Sequence, residues 1–259
     1  VQWNTSQNRR VVSYLDQDTI KSFVHIATSA VALLPQQIRS PVWSPDEKSL
    51  AYLTETNARL NLIIADIAGK NQKNVYTTPI RDPHIQWITS DRIIFETAPS
   101  GLVESFIFVF SRSRESFDTV MTGFGLTTKW SPDGAFALGS QTNGRGKKPI
   151  LLVYDTAGNK RFDTNLATIS EKCTWVGAKK AYCAVPRNIQ SNAVWPDDYL
   201  RGEIHTADKL VIIDVEKNEV REVFNEGNFD ISNLVVTKGE TYALFIDRTE
   251  GTLWSAKLK

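Results

Sequence analysis

Histidine, cysteine and methionine are scarce: three, two and one in 259 residues. His25, His84 and His205 are not spaced as metal ligands, so no histidine metal site is expected. No apolar run approaches the ~20 residues that a bilayer-crossing helix needs. Also missing are the Gly-x-Ser-x-Gly elbow, His-Glu-x-x-His and the Gly-x-x-x-x-Gly-Lys-Ser/Thr loop, and no catalytic residue is assigned. Gly144-Arg145-Gly146-Lys147-Lys148 only superficially resembles a phosphate loop. It joins two strands instead of opening a helix, and reads as a mobile basic hairpin. A net charge of +1 offers no electrostatic reason for nucleic acid or an anionic membrane surface as partner.

What is present is a repeat. Lys129-Trp130-Ser131-Pro132-Asp133-Gly134 is echoed by Val42-Trp43-Ser44-Pro45-Asp46-Glu47, each a strand ending in Trp before a turn of type I chemistry. Trp-centred strands recur at Trp3, Trp43, Trp87, Trp130 and Trp175, spaced by 40, 44, 43 and 45 residues. A sixth copy, Ile231 to Val236, has Leu234 in place of Trp and Thr237-Lys238-Gly239-Glu240 in place of the Pro turn. The second unit shows the internal order: Pro41 to Ser44, Ser49 to Thr54, Asn61 to Asp66 and Asn74 to Thr77. The third strand recurs as Ser22 to Ala27, Ser105 to Phe110, Pro149 to Asp155, Lys209 to Val215 and Gly251 to Lys257. Four short strands in a repeat of about 43 residues predict an all-β fold, a β-propeller of four-stranded antiparallel blades. Six blades are visible in one domain, over about 1–38, 39–79, 80–122, 123–168, 169–227 and 228–259. The Trp residues are read as packing between blades.

These motifs resemble the WD40-like repeats of TolB-type β-propellers. More narrowly, Glu171-Lys172-Cys173-Thr174-Trp175, Tyr182 to Pro186, Trp195 to Tyr199 and Gly251 to Ser255 are similar to membrane-anchored propellers of bacterial candidate phyla. That resemblance implies an N-terminal transmembrane anchor and a further blade upstream, with seven blades in the parent, and brings no activity with it. With Met121 as the single methionine, Val1 is not read as an encoded start. The sixth unit has three strands, and its missing outer strand is expected from residues before Val1.

Strand alternation puts the links between outer and next inner strand on the same face as those between second and third strands. By analogy of fold, propellers bind partners at that end of the channel. Candidate binding residues there are Arg39, Arg81, Asp82 and His84, together with Trp195, Asp197, Asp198, Tyr199, Arg201 and His205. The last six lie in an insertion, Arg187 to Asp208, of 22 residues, a length usually functional or disordered inside a compact domain. The competing reading is a lid that packs Trp195 and Tyr199 onto the blade and solvates the rest. Arg81-Asp82-Pro83-His84 sets an imidazole near a carboxylate, as a site or as a hydrogen-bonded structural His. Paired Asp197 and Asp198 raise a calcium reading, but no Asp-x-Asp-x-Asp-Gly loop supports it, and no cofactor is expected.

If residues 177–179 form a hairpin loop, Val176 faces Lys180 and Cys173 faces Cys183. Two readings stand: a cross-strand disulfide in an oxidising compartment, or two reduced core thiols. The reading as a whole is a non-enzymatic, monomeric, extracytoplasmic propeller that binds a protein, peptide or glycan through the face carrying the insertion. The alternative is an accessory or gating propeller of a peptidase-like enzyme, or one with a metal-dependent activity at the channel mouth.

Overall fold

A serine hydroxyl organises each Trp-Ser-Pro-Asp turn. In the computed structural model, which describes residues 1–4, 6, 8–26 and 31–258, Ser131 Oγ donates to Asp133 Oδ1 at 2.6 Å and accepts from Phe136 N at 3.0 Å. Ser44 repeats both contacts with Asp46 and Ser49. The fourth turn residue has a positive φ, +69° at Gly134 and +57° at Glu47. A type I turn followed by one left-handed residue is a common hairpin connection, and glycine adopts it without steric cost. Glu47 is held there by Arg9, which donates to its carbonyl, and by Asn4 Nδ2 and Ser6 N, which donate to its carboxylate. In the sixth copy Thr237 Oγ1 takes the serine's role, accepting from Tyr242 N.

The blades follow. Gln2–Trp3, Arg9–Asp16, Thr19–Ile26 and Ala32–Leu33 pair in that order, as do Arg39–Trp43, Ser49–Thr56, Arg59–Asp66 and Lys73–Thr78. The expected third strand ending at Ala27 reaches outside the described residues. Strands two and three of blade 2 run longer than expected because they meet in a two-residue turn, Asn57-Ala58, with both φ positive, the geometry that matches strand twist. Blade 3 opens with His84–Trp87, Arg92–Glu96 and Glu104–Ser111. An unbroken strand, Ser116–Trp130, follows, so the boundary expected near 122 falls within it. Blade 4 continues with Phe136–Thr142, Ile150–Asp155 and Lys160–Leu166, and blade 5 comprises Cys173–Val176, Lys180–Pro186, Asp208–Asp214 and Glu219–Phe224. Blade 6 has three strands, Ile231–Val236, Tyr242–Asp247 and Thr252–Lys257.

By their contacts the residues form two compact units, one of 1–98 with 107–119 and one of 99–106 with 120–258. In the first, strand Ser49–Thr56 is buried on both faces. Leu50 and Tyr52 join Val11, Val24 and Trp43, while Ala51 and Leu53 join Ile85, Ile93 and Phe95. This two-residue alternation is what a blade between two neighbours requires. In the second, Ala181 and Cys183 pack with Leu138, Leu151 and Val153, whereas Tyr182 and Ala184 pack with Ile231, Ala243 and Phe245. Trp43, Trp87 and Trp130 are buried and Leu234 takes the same place in blade 6. The indole N–H adds a link between blades: Trp43 donates to Gln2 O and Trp175 to Lys129 O, each the carbonyl just before the preceding blade's Trp.

Cys173 and Cys183 face each other in register, with Val176 opposite Lys180, and are joined as a disulfide with a Cα separation of 4.0 Å. Both are buried. Closing a loop of sequence separation 10 stabilises by about 2–3 kcal/mol on the chain-entropy account. Urea titration of C173A/C183A is therefore expected to show a loss of that size. An unfolding midpoint equal to that of the unaltered chain would mean that the bridge contributes nothing.

Candidate functional site

In blade 5 the link between second and third strands is long, and its ends are fixed by the ladder. Pro186 pairs with Asp208, and Arg187 N donates to Ala207 O at 2.9 Å. The insertion is thus 187–207, since Asp208 opens the third strand. It is an ordered segment with a short helix, Asp197–Arg201, closed by Gly202 at φ +80°. Ile169, Ala193, Trp195, Tyr199 and Ile204 form its own apolar cluster. Trp195 is 1% and Tyr199 4% exposed, with rings stacked at 5.6 Å. Direct ligand contact by these two aromatics is therefore corrected: burying them is what gives the insertion a core. The indole N–H of Trp195 is buried with no acceptor among the described residues.

The paired acids act separately. Asp197 accepts from Ser100 Oγ at 3.0 Å and Gly101 N at 2.7 Å. Asp198 accepts from Val194 N and from Arg201 Nη2, both at 2.7 Å. Both carboxylates thus hold neighbouring segments, and among the described residues no group of three or more His, Cys, Asp or Glu is placed to hold a metal ion. At Gly101 a Cβ would stand 2.2 Å from Trp195 O and 2.5 Å from Gly146 Cα, so the loops at 99–104, 143–148 and 187–207 meet backbone to backbone. Gly146, at φ +66°, lets its carbonyl accept from Trp195 N at 2.8 Å. Lys147 Nζ donates to Asn192 O and Ala193 O, both at 2.6 Å. The basic hairpin thus braces the insertion through Lys147.

Beneath it lies a buried charge cluster absent from the expectations. Lys172 Nζ reaches Asp208 Oδ2 at 2.8 Å, Asp230 Oδ1 at 2.9 Å, Tyr199 Oη at 2.9 Å and Thr206 Oγ1 at 3.1 Å. Lys172 is 1% exposed, and both aspartates are fully buried. Burial alone would pull the Lys172 ammonium down, but Asp208, Tyr199 and Asp230 outweigh it and the group is raised. Burial acts upward on Asp230 too, yet Lys172 and its hydrogen bonds prevail and hold it below the usual carboxylate range. At Asp208 burial prevails and the carboxyl is raised, in keeping with an Oδ1 that has no hydrogen-bond partner among the described residues. His205 Nδ1 lies 3.1 Å from Asp230 Oδ2, and Arg248 stacks over the Tyr199 ring at 4.3 Å. Arg201, more exposed, pairs with Asp198 and Glu203.

The remaining candidates lie in the first unit. Arg39 bridges Glu55 at 2.9 Å and Asp82 at 3.3 Å, and Arg81 and Asp82 are exposed. His84 does meet a carboxylate, but it is Glu96, its partner across the ladder, at 3.7 Å. Strand pairing, which is not local in sequence, decides that partner. Expectation also missed exposed apolar groups of the second unit: Leu102 at 59%, Val103 at 66% and Leu200 at 42%. Leu102 and Val103 follow directly on Ser100 and Gly101, which Asp197 grips.

No family model and no curated protein matches this chain. Solved structures do. TolB from Acinetobacter baumannii is similar over 98% of this chain and 64% of its own length, with 14% identity and a TM-score of 0.55. The β-propeller domain of the Trilobed protease from Pyrococcus furiosus aligns over 97% of this chain and 78% of its own, at 13% identity and TM-score 0.61. An acylaminoacyl peptidase from Pyrococcus horikoshii gives 14% identity and TM-score 0.63 over 97% of this chain and 43% of its own. The fold is that of a TolB-like β-propeller, one shared by TolB and by propellers of peptidases.

Proposed function

We propose that this chain is a non-enzymatic, extracytoplasmic binding propeller that takes a protein, peptide or glycan on the face carrying residues 187–207. The observation that carries the reading is the exposure of Leu102, Val103 and Leu200 beside a segment packed around its own core. A surface ordered before it meets a partner loses less freedom on binding, so less of its contact energy is offset. Arg201, Glu203 and His205 supply charge and hydrogen bonding around these apolar groups, the usual composition of an interface rim. The buried disulfide supports an oxidising compartment.

The variant L102S/V103S/L200S removes the apolar contacts without touching the insertion's core. Its circular dichroism and melting are expected to match the unaltered chain, while capture of partners from an envelope extract of the source cells is lost. Capture of the same partners by the well-folded triple variant would remove this face from the binding role.

A further inference from the structure

Between the basic hairpin and the insertion lies a pocket of about 440 Å³, within the range of small-ligand sites. Pro149, Ala167, Ile189, Ala193 and Trp195 supply its apolar wall, Ala167 and Ile189 being the less buried of them. Two lysines line it, and no Asp or Glu is among its lining residues. The ammonium of Lys147 is spent on two backbone carbonyls, which satisfy its hydrogen bonds and leave its charge unneutralised. Lys148 is exposed, and no hydrogen bond or ion pair engages its ammonium among the described residues. Apolar surface flanked by uncompensated positive charge selects a group that is aliphatic and anionic at once. Gln190 and Ser191 also line it; Gln190 Nε2 donates to His205 O, which leaves its carboxamide oxygen and the Ser191 hydroxyl for a peptide unit.

We infer that this pocket receives the free C-terminus of a peptide ending in an aliphatic residue. The aliphatic side chain lies against Ile189 and Ala167, with Trp195 buried behind them, and the terminal carboxylate pairs with Lys148. A free fatty acid shares the aliphatic carboxylate but has no use for Gln190 and Ser191, so the peptide is the occupant to which the wall is better matched. The inference rests on the proposed binding role of this face and gives it a ligand class.

The test is fluorescence polarisation with an N-terminally labelled peptide, Ala-Ala-Ala-Leu, against the whole chain at low salt. Saturable binding below about 1 mM is expected, weakened about tenfold or more by amidating the carboxylate and to a similar degree by Lys148→Glu. Lys148 is exposed, so that variant keeps the fold. Ala167→Leu, which narrows the pocket, is expected to weaken the acid and the amide alike, and decanoate is expected to compete poorly. Equal binding of acid and amide, equal binding by Lys148→Glu, preferential binding of decanoate, or no binding of the peptide up to about 1 mM would each overturn the inference. Loss of partner capture in L102S/V103S/L200S together with absent peptide binding would overturn the pocket alone and leave the wider face standing.

Discussion

Lys172→Ala is expected to cost about 3–5 kcal/mol of folding free energy at neutral pH, the range for removing one partner of a buried ion pair. The ammonium is the cation in hydrogen-bond contact with both Asp208 and Asp230. Without it two carboxylates are left in a site that excludes water, and both titrate upward. A carboxyl raised in the folded state binds its proton more tightly there than in the unfolded chain. The variant therefore regains stability as pH falls through those raised values, and its deficit narrows. In the unaltered chain the signs are mixed. Lowered Asp230 contributes stability that is present above the ordinary carboxylate range and is lost as pH falls through its folded value. Raised Lys172 contributes stability that is present below the ordinary lysine value and is lost as pH rises through its folded one. Raised Asp208 works against the ionised pair near neutrality. Urea titrations of both proteins at pH 7.5 and pH 5 measure the difference. A deficit below about 1 kcal/mol, unchanged between the two, would show that the cluster is not a folding determinant. Should Lys172→Ala fail to fold at neutral pH, Lys172→Arg keeps the charge and is expected to fold.

Trp195→Ala carries the second large effect, and it is local. Deleting a fully buried Trp removes about 3–5 kcal/mol from the structure it supports, and here that structure is the insertion. Its cluster is separate from the clusters between blades. Pro186 paired with Asp208, and Arg187 bonded to Ala207, hold the base of the loop whether or not its interior is packed. The expected result is accelerated hydrogen exchange and proteolysis within residues 189–204 with nearly unchanged protection in blade 5, the signature of sub-global opening. Trp195→Phe keeps most of the apolar volume and is expected to protect the segment. Equal protection of 189–204 in the Ala variant would assign the insertion's order to other contacts.

The parts that were legible in sequence are those whose cause is local. Ser131, Asp133 and Gly134 define a turn with partners at most five residues away, so reading the residues amounts to reading the hydrogen bonds. The Cys173–Cys183 pairing was legible because a hairpin of known loop transmits register over a few residues. Lys172 was opaque for the opposite reason. Its partners come from positions 199, 206, 208 and 230, and nothing between Glu171 and Cys173 distinguishes a buried lysine from a solvated one. Trp195 and Tyr199, set among Asp, Arg and His, looked equally suited to a partner and to a core. Stacking of the two rings and closure against Ile169 and Ile204 decided for the core. His84 shows the same limit, since its carboxylate is Glu96 from the facing strand and not the nearby Asp82.

The pinned base of residues 187–207 also makes the segment exchangeable. Loop-closure entropy grows slowly with length, about 0.6 kcal/mol for each doubling, and the hairpin that brings Pro186 to Asp208 exists irrespective of what is strung between them. Lys172, Asp208 and Asp230 lie outside the segment, whereas Tyr199 and Thr206, which bond Lys172 and Asp230, lie within it, so a replacement has to retain these two positions. A library of diversified loops could be displayed between Pro186 and Asp208 on an unaltered blade 5, with the bridged cysteines of its first two strands as a built-in clamp.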